Sequence, residues 1–145
     1  MIPRFLLFQA KAFLCWDVFD DLAVQLVPLQ TAAAFYFPPQ NNLHSIVLFY
    51  SDECADYSRP LFLLFHEAGH IQYFRNTGGE EKYYKKLQSP NGNERMEFER
   101  FAWDEALVIF KQFLEKNNIE INELLVSFSL FAQSCIQSYA EPVEK

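Results

Sequence analysis

Two histidines with a glutamate between them, His66-Glu67-Ala68-Gly69-His70, are the residues of this chain whose types and spacing are best suited to chemistry. On an α-helix, side chains four residues apart project from one face about one turn from each other, so both imidazoles can reach a single metal ion. Glu67, next to the first imidazole, is then placed to act on a metal-bound water rather than on the metal. This is the pattern with which a helix binds zinc and carries the general base for hydrolysis.

A catalytic zinc site takes three protein ligands and leaves a fourth position for water or substrate. One class of such sites continues the motif with glycine at position 73 and histidine at position 76. This chain has Tyr73 and Asn76 there, which excludes that class. The remaining source is a carboxylate on a later helix, and residues 93–106 contain Glu94, Glu97, Glu99 and Glu105. Steps of three and four from Glu99 reach Ala102, Trp103, Ala106, Ile109, Phe110, Phe113 and Leu114, an apolar stripe that faces a core. Glu97 lies on a mixed, partly solvated face, and an acidic Glu94 after Asn93 is explained by the first turn of a helix. Glu105 competes with Glu99, since apolar residues surround it as well. Glu99 is preferred, because Ala102 and Ala106 would let its helix approach the motif helix closely.

The motif helix is expected over about 59–77. Pro60 suits a first turn, where its missing N–H would be unpaired in any case, and Gly78-Gly79 provides a stop. Apolar residues fill most other positions, so two histidines and a glutamate would be buried there. Left unpaired they would cost on the order of a few kcal/mol each, whereas zinc satisfies both imidazoles together. Two strands are expected before it, over 31–37 and 43–50, joined by a turn at Pro38-Pro39-Gln40-Asn41-Asn42. His44, in the second strand, is a further candidate third ligand, weighed against an ordinary hydrogen-bonded histidine. The chain before the strands reads as an amphipathic helix to about Val24, with Phe5, Leu6, Phe13, Trp16 and Phe19 available to the core and Asp17, Asp20 and Asp21 on its wetter side. After the motif come a short charged helix over 80–87, a loop over 88–93, a long helix from Glu94 to about Asn117-Asn118, and a last helix over 121–138. Tyr83 or Tyr84 of the charged helix could donate to an oxyanion; surface packing is the plainer role for both.

These residues resemble the ImmA/IrrE-type metallopeptidases, of the gluzincin group. Residues 59–70 are similar to that family's apolar run into a His-Glu-aliphatic-Gly-His motif, and 99–106 to its Glu-x-x-Ala-x-x-x-Ala helix. Residues 129–139 resemble a C-terminal helix of small phage or mobile-element members, so the likeness covers about 42–139. The first forty residues carry no such likeness, and Trp103 departs from the Asn or Asp that many members have after the alanine. The resemblance implies an α+β fold, a mostly helical zincin-like minimal domain with a small sheet beside the motif helix. It implies one Zn2+ per chain held by His66, His70 and Glu99, and Glu67 as general base of a metalloendopeptidase. A protein substrate is implied too, in this family often a helix-turn-helix transcriptional repressor. The alternative function is a zinc-stabilised binding module that sequesters a regulatory protein without cutting it, and a self-processing or toxin-type peptidase is a third.

Composition sets the frame for these expectations. At 145 residues, 50% hydrophobic and with 16 phenylalanines, the chain can bury one sizeable core. A single domain over 1–145 is expected, with an N-terminal helix (1–28), a core (29–117) and a C-terminal helix and tail (118–145). A net charge of −7 leaves no basic face for phosphate, so direct nucleic-acid binding is not expected. Three cysteines, Cys15, Cys54 and Cys135, have no metal-type spacing and read as reduced thiols of a cytoplasmic protein. The apolar run after Arg4 is interrupted by Gln9 and Lys11, short of the about 7–15 residues of a secretory signal. No stretch approaches the roughly 18 apolar residues of a membrane span.

Overall fold

The computed structural model describes residues 1–76, 85, 88 and 92–139. Leu6, Leu7, Ala10 and Phe13 share the buried face of helix α1 (Phe5–Phe13), which runs on through a π-helical turn at Leu14–Val18. Among the described residues the strands β1 (Leu22–Pro28), β2 (Ala33–Gln40) and β3 (Leu43–Tyr50) follow, and then the helices α2 (Ser58–Asn76), α3 (Gly92–Lys116) and α4 (Ile121–Gln137). The fold is α+β, as expected: among the described residues, four α-helices and one small mixed sheet of order β1-β3-β2.

The start of the chain differs from the expected helix to Val24. Phe19 leaves the π-helical turn in an extended conformation, and 22–28 is a strand, parallel to β3 from Leu22 opposite His44 to Pro28 opposite Tyr50. The alternation of Leu22, Val24 and Leu26 with Ala23, Gln25 and Val27 suits a half-buried strand, and β3 satisfies its backbone. Phe5 and Trp16, expected in the core, are 58% and 84% exposed. They lie on the ridge of α1 and its continuation opposite Leu7, Ala10 and Leu14, which are fully buried.

β2 and β3 form the expected hairpin. Asn41 and Asn42 have φ of 55° and 65°, the left-handed pair that a two-residue turn requires and that asparagine tolerates. The prolines expected in the joint instead lie within β2. The register advances by one extra residue between Phe37 and Gln40, a bulge on an edge strand, where proline is admissible. His44, Ile46, Leu48 and Tyr50 alternate inward along β3 towards the helices.

α2 is the spine of the molecule. Its start is fixed by Asp56, whose Oδ1 accepts from Ser58 N–H (3.1 Å), Ser58 Oγ–H (2.6 Å) and Ile2 N–H (2.9 Å). Pro60 occupies the first turn, and Leu61, Leu64, Phe65, Ala68 and Ile71 are fully buried. Where α2 crosses α3, Gly69 leaves no room for a side chain: a Cβ there would lie 2.9 Å from the carbonyl carbon of Ala102 and 3.1 Å from Cβ of Ala106. Phe62, Phe110 and Phe128 bring α4 onto the other side, the last two stacked with centroids 4.7 Å apart. Asn118, at φ 54°, ends α3 with Ile119 N–H bonded to the Leu114 carbonyl. The three cysteines are free thiols. The expected stop at Gly78-Gly79 and the charged helix with Tyr83 and Tyr84 lie outside the described residues. No helix among the described residues is long and apolar enough to cross a membrane.

Candidate metal centre

The crossing of α2 and α3 brings three sequence-predicted ligands together. His66 and His70 stand one turn apart on α2, with ring centroids 4.6 Å from each other. Glu99, only 3% exposed, enters from α3 and presents one oxygen to each imidazole. Its Oε2 is 3.3 Å from His66 Nε2 and its Oε1 is 3.2 Å from His70 Nε2. The close approach at Gly69 allows this, since Ala102 lies one turn beyond Glu99 on the same stripe.

Those distances lie at the long end for a hydrogen bond and at the spacing of ligands around one ion. A charge-assisted hydrogen bond between an imidazolium and a carboxylate closes to about 2.7–2.9 Å. Ligands about 2.0–2.2 Å from a tetrahedral ion stand about 3.3 Å from one another. Both contacts in this site have the longer spacing, and the buried His66 Nε2 and Glu99 Oε2 make no hydrogen bond. Two imidazole nitrogens and one carboxylate also form a donor set that suits zinc. The residues therefore fit the ion that the motif implies.

Glu67 completes the cluster. A carboxylate oxygen of Glu67 and ring nitrogens of His66 and His70 all lie within 4.8 Å of one another. As a residue Glu67 is half-buried, but its carboxyl is enclosed, and desolvation pushes its pKa up to about 7; nearby His66 opposes this rise and Glu99 adds to it. Glu99 behaves in the opposite way. Burial alone would raise its pKa, but the two imidazoles that face it outweigh that effect and hold the carboxyl well below the usual range. Adjacent carboxyls thus differ in task, one suited to stay ionised and one to exchange a proton near neutrality.

The other carboxylates are elsewhere. Glu94 and Glu97 are exposed and Glu105 is half-buried, and among the described residues the imidazoles' ion pairs run to Glu99. His44 turns its nitrogens to other partners. Its Nδ1 is 2.7 Å from the Tyr36 hydroxyl and its Nε2 is 3.6 Å from Asp21 Oδ2. Burial lowers its pKa, with Asp21 opposing and Arg75 reinforcing.

Two residues at the site were not assigned from the sequence. Trp103 stacks on His66 with centroids 4.2 Å apart, and Tyr36 of β2 lies parallel to the His70 ring, 6.5 Å away. Trp103 left a signal, being four residues beyond Glu99 on one helix face; Tyr36 left none, because its place depends on how the sheet packs on α2. Beyond His70, Phe98 tilts against the imidazole at 5.2 Å and lines, with Tyr73, Phe101, Glu94, Glu97 and Lys85, a cleft of about 560 Å3. Compared with known proteins, the chain matches no protein-family model, no curated protein and no solved structure.

Proposed function

We propose that this chain is a zinc-dependent metalloendopeptidase with a zincin-like fold of the ImmA/IrrE type, hydrolysing a peptide bond in a protein substrate. The observation that carries the reading is the convergence of His66, His70 and Glu99 at ligand spacing, with the enclosed carboxyl of Glu67 alongside. His66 and His70 would bind the ion through Nε2 and Glu99 through its carboxylate. Zinc bound there would supply Lewis acidity towards a scissile carbonyl and would acidify water towards a pKa of about 7.

The remaining chemistry belongs to the chain. Glu67, its carboxyl enclosed beside both imidazoles, takes a proton from the attacking water onto a carboxylate oxygen and later delivers it to the leaving amine nitrogen. Glu99, held ionised, does not compete for that proton. The enclosing aromatic residues Trp103, Phe98 and Tyr36 limit water around the two imidazoles. β2 is an edge strand of the sheet, and an extended peptide pairing with it would run beside Tyr36 and His70. A helix-turn-helix repressor is the substrate class carried over from the resembled family.

The test is elemental mass spectrometry on untagged protein, together with cleavage of candidate repressors. About one zinc per chain is expected in the parent and in Glu67→Gln, with strong loss in Glu99→Ala, and cleavage by the parent alone. Absence of zinc from the parent refutes the metal site. Zinc retained, with the partner treated alike by parent and Glu67→Gln, replaces the peptidase with a zinc-stabilised binding module.

A further inference from the structure

Each imidazole of the candidate site has a parallel aromatic ring from a different element, Trp103 in face contact with His66 at 4.2 Å and Tyr36 beside His70 at 6.5 Å. His66 and the indole of Trp103 are within 7° of parallel, and His70 and the phenol ring of Tyr36 within 6°. The two supports are held by different means. Trp103, only 2% exposed, is wedged edge-on between Phe128 and Phe131 of α4, with centroids 5.4 and 5.8 Å away, so packing fixes its plane.

Tyr36 is held by a polar chain. With Nε2–H of His44 facing the Asp21 carboxylate, Nδ1 is left to accept the Tyr36 hydroxyl proton at 2.7 Å. Asp21 Oδ1 in turn accepts from Arg75 Nη2 at 2.5 Å. Arg75 lies on α2, five residues beyond His70, so the path leaves the motif helix, passes the turn before β1 and then β3 and β2, and ends at the Tyr36 ring beside that helix. Phe74 closes edge-on over His44 at 5.5 Å. These polar contacts tie the Tyr36 hydroxyl, through His44 and Asp21, to Arg75 at the end of α2.

We propose that Tyr36 and Trp103 are positioning residues that fix the ring planes of His70 and His66, and that His44, Asp21 and Arg75 anchor Tyr36. The proposal rests on reading His66 and His70 as ligands, so its test includes an arm that needs no metal.

In that arm, side-chain imidazole NMR is recorded on the chelator-treated protein. Tyr36→Leu, which removes the ring, is expected to shift and broaden the His70 signals and leave those of His66 in place. Tyr36→Phe, which keeps the ring and loses the anchor, is expected to move them in the same sense but less. Trp103→Phe is expected to act on His66 alone. In the second arm, chelator competition is expected to show zinc affinity falling about 10-fold or more in Tyr36→Leu, within the 10–100-fold range of lost outer-shell partners. The visible spectrum of the cobalt-substituted protein is expected to change with it. Phe37→Leu, on the opposite face of β2, is the control and should alter neither. Parent-like imidazole signals in Tyr36→Leu and Trp103→Phe overturn the proposal, as do parent-like zinc affinity and cobalt spectrum. If the parent binds no metal, the peptidase reading fails, and the imidazole signals alone decide whether the rings are held as described.

Discussion

Replacing Gly69 with alanine sets two physical effects against each other. Helix propensity favours alanine by about 1 kcal/mol in a helix interior. The added methyl, however, would meet the carbonyl carbon of Ala102 at 2.9 Å and Cβ of Ala106 at 3.1 Å, besides overlapping the Ala102 carbonyl oxygen. Carbon atoms pack at about 3.5–4.0 Å, so α2 and α3 must separate by roughly 0.5–1 Å. Overpacking of this kind costs about 1–3 kcal/mol. The upper end applies, because a backbone carbonyl cannot rotate aside as a side chain can. Gly69→Ala is therefore expected to destabilise the protein by about 2 kcal/mol net, opposite in sign to the propensity effect. It should also disturb the site, since Glu99 is one turn before Ala102 and metal–ligand distances tolerate only about 0.2 Å. Urea unfolding with and without chelator measures the first effect, and chelator competition the second, with zinc affinity expected to fall at least about 10-fold. A variant as stable as the parent, binding zinc as tightly, would refute the account of the helix crossing.

Other substitutions probe the remaining parts. In metal-free protein the raised pKa of Glu67, about 7 when folded against 4.5 when unfolded, means that the folded state binds the extra proton and stability falls as pH rises between those values. At about 1.4 kcal/mol per pH unit this amounts to roughly 3 kcal/mol above pH 7, so Glu67→Gln should stabilise the metal-free protein at pH 8 by about that much relative to its effect at pH 4.5. Identical pH profiles in urea unfolding would contradict it. Glu99 has the opposite sign: its lowered pKa gives stability that is present above the ordinary carboxylate range and lost as pH falls below it. Glu99→Gln in metal-free protein should flatten that acid limb, and an unaltered limb would count against the pairing with His66 and His70. At the β2–β3 turn, Asn42 has φ 65°, so Asn42→Val should cost about 1–2 kcal/mol while Asn42→Gly costs nothing. Thermal unfolding decides between them, and a neutral valine would show that the turn is not left-handed.

The parts of the fold that were legible in the sequence are those set by local periodicity. α2, α3 and α4 follow from apolar spacing and end signals, and Glu99 stood out because it interrupts an apolar stripe. The β2–β3 hairpin was readable from its asparagines and from the β-branched run of β3. β1 was not, because its partner is the strand β3, 22 residues further on at His44 opposite Leu22, and short apolar runs look alike as helix or strand. Phe5 and Trp16 were misplaced for a related reason: a nine-residue helix with apolar residues all round offers two ridges, and only the packing of α2 and the sheet selects one. Tyr36 was invisible as a site residue because alternation along β2 tells which side chains share a face and not what lies opposite.

The strand order β1-β3-β2 also governs how the molecule opens. β2 and β3 are neighbours in sequence and can re-form as a hairpin within microseconds, whereas β1 must close a loop of about 20 residues to pair. β3, bonded along both edges, should hold its amide protons longest in hydrogen exchange, and β1 should release them earlier. Asp21 sits at the head of β1, its carbonyl bonded to the His44 N–H and its carboxylate to Arg75. A fluctuation that frees this strand thus unfastens Asp21, then His44 and Tyr36, while α2 and α3 stay folded against each other. Breathing of an edge strand becomes a means of loosening the His70 ring without unfolding the helix that carries it.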